Sequence, residues 1–315
     1  MFASTTTVRA AEPTAEVRAL GQRLPPGVSL GTSTWSFPGW AGLVWDRKLP
    51  KPTLVQDGLP IYAGHPLFRT VGIDRTFWAP VDEAQYASWA AQVSEVEPGF
   101  TFLVKAPERL TWRRFPNQAK YGVERNADNP HFLDAGWARE CLVHPLVQGL
   151  GPHAGPVVFQ IPPQRGLGCI AEPLRAFLRT LPPGPRYAVE IRSKDQLTEA
   201  YGRVLVECGA LHCLTVHPGL PDLRAQWRTA RIAEQSALVV RWNLVPTMAY
   251  EQAKSAFEPF DRIVQPDDGR VDQLARALHW AADRERPAWL IANNKAEGSA
   301  PLTLVRVARR LEELS

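Results

Sequence analysis

The sequence predicts a closed (β/α)8 barrel, and three observations support this fold class. Eight short apolar runs occur along the chain, and each stops at a polar or charged residue. The runs stay hydrophobic, as expected for strands buried on both faces, and helical stretches separate them, which implies parallel pairing. A length of 315 residues suits such a barrel as a single domain. The runs are Val28 to Ser33, Phe68 to Asp74, Phe100 to Lys105, Val157 to Gln160, Tyr187 to Glu190, Leu211 to Thr215, Leu238 to Arg241 and Trp289 to Asn293.

Helices are predicted in most of the intervals between these strands. The clearest one follows Pro80, which suits a helix start, and ends before Pro98 and Gly99, which form a strong stop. The intervals after the third and the seventh strands are long, so we expect insertions there, on the face of the barrel that carries substrate loops. The predicted helices are Val81 to Glu95, Pro130 to Gly149, Glu172 to Leu181, Asp195 to Cys208, Val271 to Arg286 and Pro301 to Leu314.

The first 27 residues contain no sustained apolar stretch. They predict a flexible N-terminal tail, residues 1–27, ahead of a barrel domain over residues 28–315. They lack the hydrophobic centre of a secretory signal, and no window approaches the roughly 18 apolar residues that span a bilayer. We therefore expect a cytoplasmic protein with no membrane partner. The net charge of +4 is too small to indicate nucleic-acid binding by itself.

Barrels of this kind place the residues that end their strands at one rim, where active sites lie. Glu190 is a candidate general acid or base. Arg192 points to the same side of the chain if the strand continues that far. The alternative is that Glu190 and Arg192 form a charge pair that only closes the top of the barrel. Lys105 emerges from an apolar run, where desolvation would lower its pKa toward a general-base or Schiff-base role. Pairing of Lys105 with Glu190 or Asp74 is the alternative. Asp74 would orient Lys105 or bind substrate. The alternative for Asp74, which the sequence supports equally, is a buried salt bridge.

A second group of residues is predicted to bind an anionic substrate. Lys295 and Gly298 follow the eighth strand and precede the last helix, whose free backbone N–H groups would attract an anion. A turn in which Asn293 and Asn294 satisfy backbone groups is the alternative. Trp35 lies near the predicted rim, where it would stack against a ligand or pack over the barrel. The predicted binding residues are Arg192, Arg241, Asn293, Asn294, Lys295, Gln160, Trp35 and Arg109.

The insertion after the third strand, residues 106–129, combines basic and aromatic side chains. Stacking together with positive charge is what binding of single-stranded nucleic acid needs. A nucleic-acid-binding loop is therefore one hypothesis for this segment, and a solvated lid is the alternative. Its basic and aromatic residues are Arg109, Arg113, Arg114, Lys120 and Arg125 beside Trp112, Phe115 and Tyr121.

A series of motifs runs in order along nearly the whole chain. They are Gly31-Thr32-Ser33 with Trp35 and Trp40, Phe68-Arg69-Thr70-Val71 with Thr76-Phe77, Phe102-Leu103-Val104-Lys105, Gln160-Ile161-Pro162-Pro163, Ala188-Val189-Glu190-Ile191-Arg192, Arg241, and Asn293-Asn294 with Glu297-Gly298 and Ala300-Pro301. In their order and spacing these motifs resemble the YecE-like family, which is domain of unknown function 72 (DUF72). The resemblance implies a barrel of the triosephosphate-isomerase type and implies no reaction.

The chain departs from that family pattern in several places. Trp112, Ser193 and Asn243 stand where the family usually carries histidine, and the predicted strand ends offer no histidine either. Each lost histidine removes a proton carrier that works near neutral pH, which weakens an acid/base role implied by the resemblance. The family has a segment that looks like Val-Glu-Ile-Asn-Ser-Thr-Phe-Tyr. In this chain Gly72, Asp74, Arg75 and Trp78 stand in place of its Glu, Asn, Ser and Tyr.

The leading hypothesis is an enzyme that needs no metal or other cofactor and acts on a phosphorylated or nucleotide-like substrate. Glu190 and Lys105 would be its acid/base pair, and Arg192, Arg241 and Lys295 would hold the anion. One alternative is a non-catalytic barrel that binds nucleic acid or another ligand through the basic aromatic insertion. A second alternative, suggested by the fold alone, is a metal-dependent isomerase or endonuclease barrel. The sequence does not determine the oligomeric state.

Overall fold

The computed structural model describes residues 7–164 and 168–315. Eight parallel strands follow one another in chain order around a closed barrel, which confirms the predicted fold class. The first strand pairs with the last over its whole length and closes the barrel. Each strand overlaps one of the eight predicted runs. The strands are β1 Val28–Thr32, β2 Thr70–Ile73, β3 Thr101–Lys105, β4 Ala154–Ile161, β5 Tyr187–Ile191, β6 Leu211–Val216, β7 Leu238–Trp242 and β8 Ala288–Ala292.

Helices connect the strands along the outside of the barrel. In the described residues they are α1 Ala15–Arg23, α2 Lys51–Asp57, α3 Leu59–Ala63, α4 Glu83–Ser94, α5 Ala135–Ala138, α6 His144–Leu150, α7 Ala171–Thr180, α8 Glu199–Glu207, α9 Leu223–Thr229, α10 Tyr250–Phe257, α11 Asp268–Ala282 and α12 Ala300–Glu312. The helix predicted to start at Pro130 begins later and contains a π-helical segment, Arg139–Val143, between α5 and α6. The sequence did not predict α2, α3, α9 and α10, because five to eight residues are too few to show a clear helical period.

Two apolar clusters stabilise the barrel, one on each side of its wall. Neighbouring strand residues belong to different clusters: Leu103 lies in the small cluster and Val104 in the large one that packs against the helices. Because side chains alternate along a strand, the small cluster fills the barrel interior. Gly72 makes room there for Ile291, whose Cγ2 lies 3.3 Å from the place where a Cβ at position 72 would stand. Every second residue of a strand therefore faces the barrel interior. Where this alternation continues past the end of a strand, the side chains emerge at the carboxyl end of the barrel.

The predicted flexible tail is wrong for residues 7–27. Residues 15–23 form α1, whose Leu20 is buried in the large cluster, as is Leu24 just beyond the helix. The guanidinium group of Arg69 donates hydrogen bonds of 3.1–3.3 Å to the carbonyl groups of Gly21, Leu24, Pro25 and Val28. The sequence did not reveal this helix because it buries one narrow face and a distant arginine satisfies its last carbonyl groups. Residues 1–6 of the predicted tail lie outside the described residues.

Both predicted long intervals are present, residues 106–153 between β3 and β4 and residues 243–287 between β7 and β8; the first includes the predicted insertion, residues 106–129. The insertion over residues 106–129 contains the 3-10 segments Glu108–Leu110 and Ala119–Glu124, and a kink at Gly122 interrupts the second. The side chain of Gln164 holds this insertion against the loop that follows β4 through hydrogen bonds of 2.7 and 2.8 Å to its backbone. In the described part of the chain, no helix is long and apolar enough to cross a membrane.

Candidate active site at the barrel mouth

Polar side chains at the carboxyl ends of the strands continue the rows that face the barrel interior. Lys105 lies two positions after Leu103, and Arg241 lies two positions after Val239, so both side chains project into the barrel opening. We call this opening the mouth. The same spacing holds for Asp74 after Gly72, Gln160 after Val158, Glu190 after Ala188 and Asn293 after Ile291.

A network of charges occupies the mouth. The fully buried carboxylate of Glu190 accepts a hydrogen bond from Nε of Arg192 and another, of 2.6 Å, from Nη1 of Arg241. Nη2 of Arg241 donates to Oδ1 of Asp74 at 2.8 Å. Oε1 of Gln160 accepts from Nη2 of Arg192 at 3.2 Å. We call these five residues the mouth cluster; they connect β2, β4, β5 and β7 across the barrel.

Glu190 is held in its ionised form by this cluster. Burial alone would raise its pKa, but the positive charges of Arg192, Arg241 and Lys105 outweigh burial and lower the pKa to about 2. A carboxylate with so low a pKa is a weak general base and almost never carries a proton near neutral pH. The geometry therefore favours the alternative interpretation of Glu190, a charge partner that fixes two arginine side chains.

Lys105 differs from the other charged groups of the mouth. Its side chain is only 8% exposed, and its Nζ lies 3.4 Å from the centroid of the Phe77 ring. Within residues 7–164 and 168–315 no hydrogen bond or ion pair to this Nζ is present. Burial lowers the pKa of Lys105 to about 8, against the opposing effect of Asp74. Lys105 is thus the mouth residue best suited to exchange a proton near neutral pH.

The mouth also contains a histidine, which corrects the prediction that none lies at the strand ends. The predicted run ended at Thr215, but β6 continues to Val216, so His217 occupies the next interior position. Burial and then Arg192 lower the pKa of His217, while Glu190 opposes them. Its Nδ1 donates to the carbonyl of Pro218 at 2.8 Å, which leaves Nε2 as a hydrogen-bond acceptor. The alternation through Cys213 and Thr215 was the signal that could have identified it.

At the end of β8, the two asparagines have different positions. Asn293 faces the mouth, where its Nδ2 donates to Oγ of Ser33 at 2.9 Å. Asn294 instead accepts two hydrogen bonds through its Oδ1, from Nε1 of Trp40 at 3.0 Å and from the backbone N–H of Ala300 at 2.9 Å. Asn294 therefore accepts a hydrogen bond from a backbone N–H group at the start of α12, as in the alternative interpretation of this loop. Its contact with a ligand stays a prediction.

The loop predicted to bind an anion is closely packed against other parts of the protein. Nζ of Lys295 lies 4.3 Å from the centroid of the Tyr250 ring. A Cβ at Gly298 would stand 2.5 Å from the carbonyl oxygen of Arg262, so the second insertion covers the loop closely. The adjacent Glu297 side chain is fully buried and pairs with Arg306. A buried carboxylate beside the start of α12 disfavours an anion, so this part of the prediction is not supported.

The two remaining predicted binding residues lie away from the mouth cluster. Trp35 is 6% exposed, packs edge-on against Trp89 at 5.6 Å and donates from Nε1 to the backbone. Its surroundings favour the packing alternative. Arg109 donates two hydrogen bonds, of 3.0 and 2.5 Å, to the carboxylate of Glu124 within its own insertion. Its predicted contact with substrate would require this pair to separate.

Comparison with known proteins explains the order of the sequence motifs. The profile of the family described as "Protein of unknown function DUF72" matches residues 29–315. The chain belongs to the DUF72 family. This confirms the resemblance based on the motifs from Gly31 to Pro301. No match was found among curated proteins.

Solved structures of DUF72 proteins have the same fold. A DUF72 family protein from Thermotoga maritima is 19% identical, with a TM-score of 0.60 over 90% of this chain and 99% of that chain. A DUF72 family protein from Enterococcus faecalis is 14% identical, with a TM-score of 0.58 over 90% of this chain and 95% of that chain. At these identities the comparison shows a shared barrel.

A groove of about 580 Å³ in this DUF72 protein lies outside the barrel, between α9 and α11. Trp227 and Trp280 line it, together with Leu214, which belongs to the large cluster behind β6. The groove is therefore separated from the mouth by the barrel wall. The buried charges and the lowered lysine pKa are at the mouth, so the mouth is the candidate active site.

Proposed function

We propose that this DUF72 protein is an enzyme whose mouth binds a small anionic substrate and whose Lys105 transfers a proton during the reaction. The observation that carries the proposal is the state of Lys105, a nearly buried ammonium group without a hydrogen-bond partner among the described residues. An unpaired buried charge lowers stability, so a protein retains it where a ligand completes its interactions.

The charge balance of the mouth supports an anionic ligand. Lys105, Arg192 and Arg241 contribute three positive charges, and Asp74 and Glu190 contribute two negative ones, which leaves one positive charge. Among these three cations, Lys105 has no carboxylate of a described residue at hydrogen-bond distance. Nη1 of Arg192 makes no hydrogen bond with the described residues either and would give the anion a second donor.

The role in proton transfer follows from the pKa of Lys105. General acid/base catalysis is most effective when the pKa of the group lies near the working pH. A value of about 8 gives Lys105 comparable protonated and neutral populations in mildly basic solution. Asp74 and Glu190 are occupied by guanidinium groups, which makes them weak candidates for metal ligands, and the proposal therefore assigns the chemistry to Lys105 without a metal.

The charges of the basic aromatic insertion weigh against the nucleic-acid alternative. Several of its cations are paired within it: Arg109 with Glu124, Arg114 with Asp128 and Lys120 with Glu108. Ion pairs of this kind reduce the positive field that a phosphate backbone would meet. The alternative retains a simple test, since binding of a labelled oligonucleotide should be saturable and should weaken steeply as salt increases.

Calorimetric titration with inorganic sulfate tests the anion site, because the charge of sulfate does not change over the pH range used. We expect Lys105→Met to weaken sulfate binding about tenfold or more, as expected for loss of a hydrogen bond from a charged group. Binding to the wild type should weaken as pH rises through about 8, because Lys105 loses its charge there.

The matched control is Lys194→Met, which removes an exposed lysine from the loop after β5 and should leave binding unchanged. Equal affinity of Lys105→Met and wild type would contradict the anion site. For turnover, wild type and Lys105→Met are incubated with a metabolite extract, and phosphorylated compounds are followed by mass spectrometry. The enzyme proposal fails if the wild type consumes no compound that the variant leaves intact.

A further inference from the structure

Trp78 is a large aromatic side chain exposed beside the mouth. It follows the short helical turn Arg75–Phe77 directly after Asp74, and 65% of its surface is exposed. Nζ of Lys120 lies 4.2 Å from the centroid of its ring, and both carboxylate oxygens of Glu108 accept hydrogen bonds of 2.9 Å from that nitrogen. The lysine thus covers one face of the indole and is itself held in place. We infer from the large exposed fraction of Trp78 that its other face is open.

The open indole face lies within the reach of one small molecule from Lys105. The centroid of the Phe77 ring is 5.0 Å from that of Trp78 and 3.4 Å from Nζ of Lys105. The indole and the ammonium group are therefore at most about 8.4 Å apart, the sum of these two distances. The base and the phosphate of a mononucleotide, which one ribose joins, span a comparable distance.

We propose that Trp78 and Lys105 form a subsite for a 5′-mononucleotide, with the base stacked on the open indole face and the phosphate on the ammonium group. This inference rests on the proposed anion-binding role of Lys105 and adds the recognition of a base. Oδ1 of Asp74 is bound by Arg241, whereas Oδ2 accepts no hydrogen bond from the described residues. Asp74 is 37% exposed, so a ribose hydroxyl could donate to Oδ2.

A single nucleotide fits the surroundings of Trp78 better than a nucleic-acid strand does. Further phosphates of a strand would need further free cations along the basic aromatic insertion, and Lys120, Arg109 and Arg114 are already paired. The indole of Trp78 and the ammonium group of Lys105 match one base and one phosphate.

Calorimetry with AMP and with ribose 5-phosphate tests the inference, because the two ligands share the phosphate and differ in the base. AMP should bind the wild type more tightly. Trp78→Ala should weaken AMP binding about 5- to 100-fold, the range expected for loss of one stacked base, and should leave ribose 5-phosphate unchanged. Trp78→Phe should restore most of the affinity for AMP. Lys105→Met should weaken both ligands.

Tyr250→Ala is the matched control, because Tyr250 is 56% exposed and has Lys295 on its ring, as Trp78 has Lys120. It should leave AMP binding unchanged. If ribose 5-phosphate binds through Lys105 but AMP binds no tighter, or Trp78→Ala affects both ligands equally, the base subsite is overturned and the proposed function stands. If neither ligand binds, the mononucleotide subsite is overturned, and the sulfate titration decides separately whether the anion site at Lys105 stands. Tighter binding of a single-stranded oligonucleotide than of AMP would also overturn the mononucleotide subsite.

Discussion

At the scale of single residues, the charged side chains of the mouth differ in whether a partner satisfies them. Glu190 and Arg241 are both buried, and each contacts groups of opposite charge. Lys105 is nearly as buried, but its ammonium group lies over the face of Phe77 and makes no hydrogen bond or ion pair with the described residues. Burial of a charge without a hydrogen bond is unfavourable, so Lys105 should lower the stability of the free protein.

Replacing Lys105 with methionine, an apolar residue of similar length, should therefore increase the free energy of unfolding at pH 7. The pKa of Lys105 is about 8 in the folded chain, against an ordinary value of 10.5. The unfavourable charge is fully present below pH 8 and disappears as pH rises to about 10.5. We expect a gain on the order of 2 to 3 kcal/mol at pH 7 that vanishes near pH 10.5.

Urea unfolding followed by circular dichroism at both pH values measures this gain. Lys194→Met serves as control, because an exposed lysine should change stability by less than about 0.5 kcal/mol. A Lys105→Met protein that is less stable than the wild type at pH 7 would show that the ammonium group is well satisfied in the fold.

At the scale of elements, α1 shows how a helix outside the barrel is fixed to it. Leu20 enters the large apolar cluster, and Arg69, in the segment before β2, donates to carbonyl groups at the end of the helix and of the turn after it. The outer face carries ion pairs such as that of Glu16 with Arg309 of α12. Exposed pairs of this kind contribute little, so burial of Leu20 should provide most of the attachment.

Leu20→Ala should lower the free energy of unfolding by about 2 to 5 kcal/mol, as expected for truncation of a buried leucine. Chemical denaturation measures the change. Gln22→Ala, in the same helix but exposed, should stay within about 0.5 kcal/mol of the wild type. An equally small effect of both substitutions would mean that α1 adds no stability and behaves like the tail predicted from the sequence.

At the scale of the whole molecule, the mouth cluster ties distant parts of the barrel together. Arg241 of β7 contacts Glu190 of β5 and Asp74 beyond β2, and Arg192 contacts Gln160 of β4. Removal of one partner from a buried network leaves the opposite charge unsatisfied. The effect should therefore appear in the cooperative unfolding of the entire barrel.

Glu190→Gln should lower the free energy of unfolding by about 3 kcal/mol at pH 7, because two guanidinium groups lose their shared carboxylate. The pKa of Glu190 is about 2 in the folded chain, below its ordinary value of 4.5. Its contribution is present above pH 4.5 and is lost as pH falls toward 2, so the difference between variant and wild type should shrink over that interval.

Denaturant unfolding between pH 7 and pH 2.5 tests this dependence. Glu140→Gln is the control, because Glu140 is 61% exposed and its pair with Arg139 lies at the surface. A difference between Glu190→Gln and wild type that stays constant over the acidic range would mean that the carboxylate charge of Glu190 does not stabilise the barrel.

The sequence by itself determined the barrel and the direction of its strand-end side chains. Apolar runs and the alternation along a strand are local properties, so they sufficed to place Lys105, Glu190 and Arg241 at one rim. The same alternation would have included His217 if the sixth run had been extended by two residues. The family was also recognisable from the sequence, because its motifs keep their order along the chain.

Only the tertiary structure decided which of these side chains satisfy each other. Glu190 meets Arg241 across 51 positions of the chain, and Asn294 meets Trp40 across 254, so neither contact has a local signal. These contacts make Glu190 a fixed charge partner and turn Asn294 toward the start of α12, while Lys105 has no hydrogen bond or ion pair to another described residue. A pKa depends on distances and burial that form only when the barrel closes, which is why the sequence located the site but the fold distinguished the roles within it.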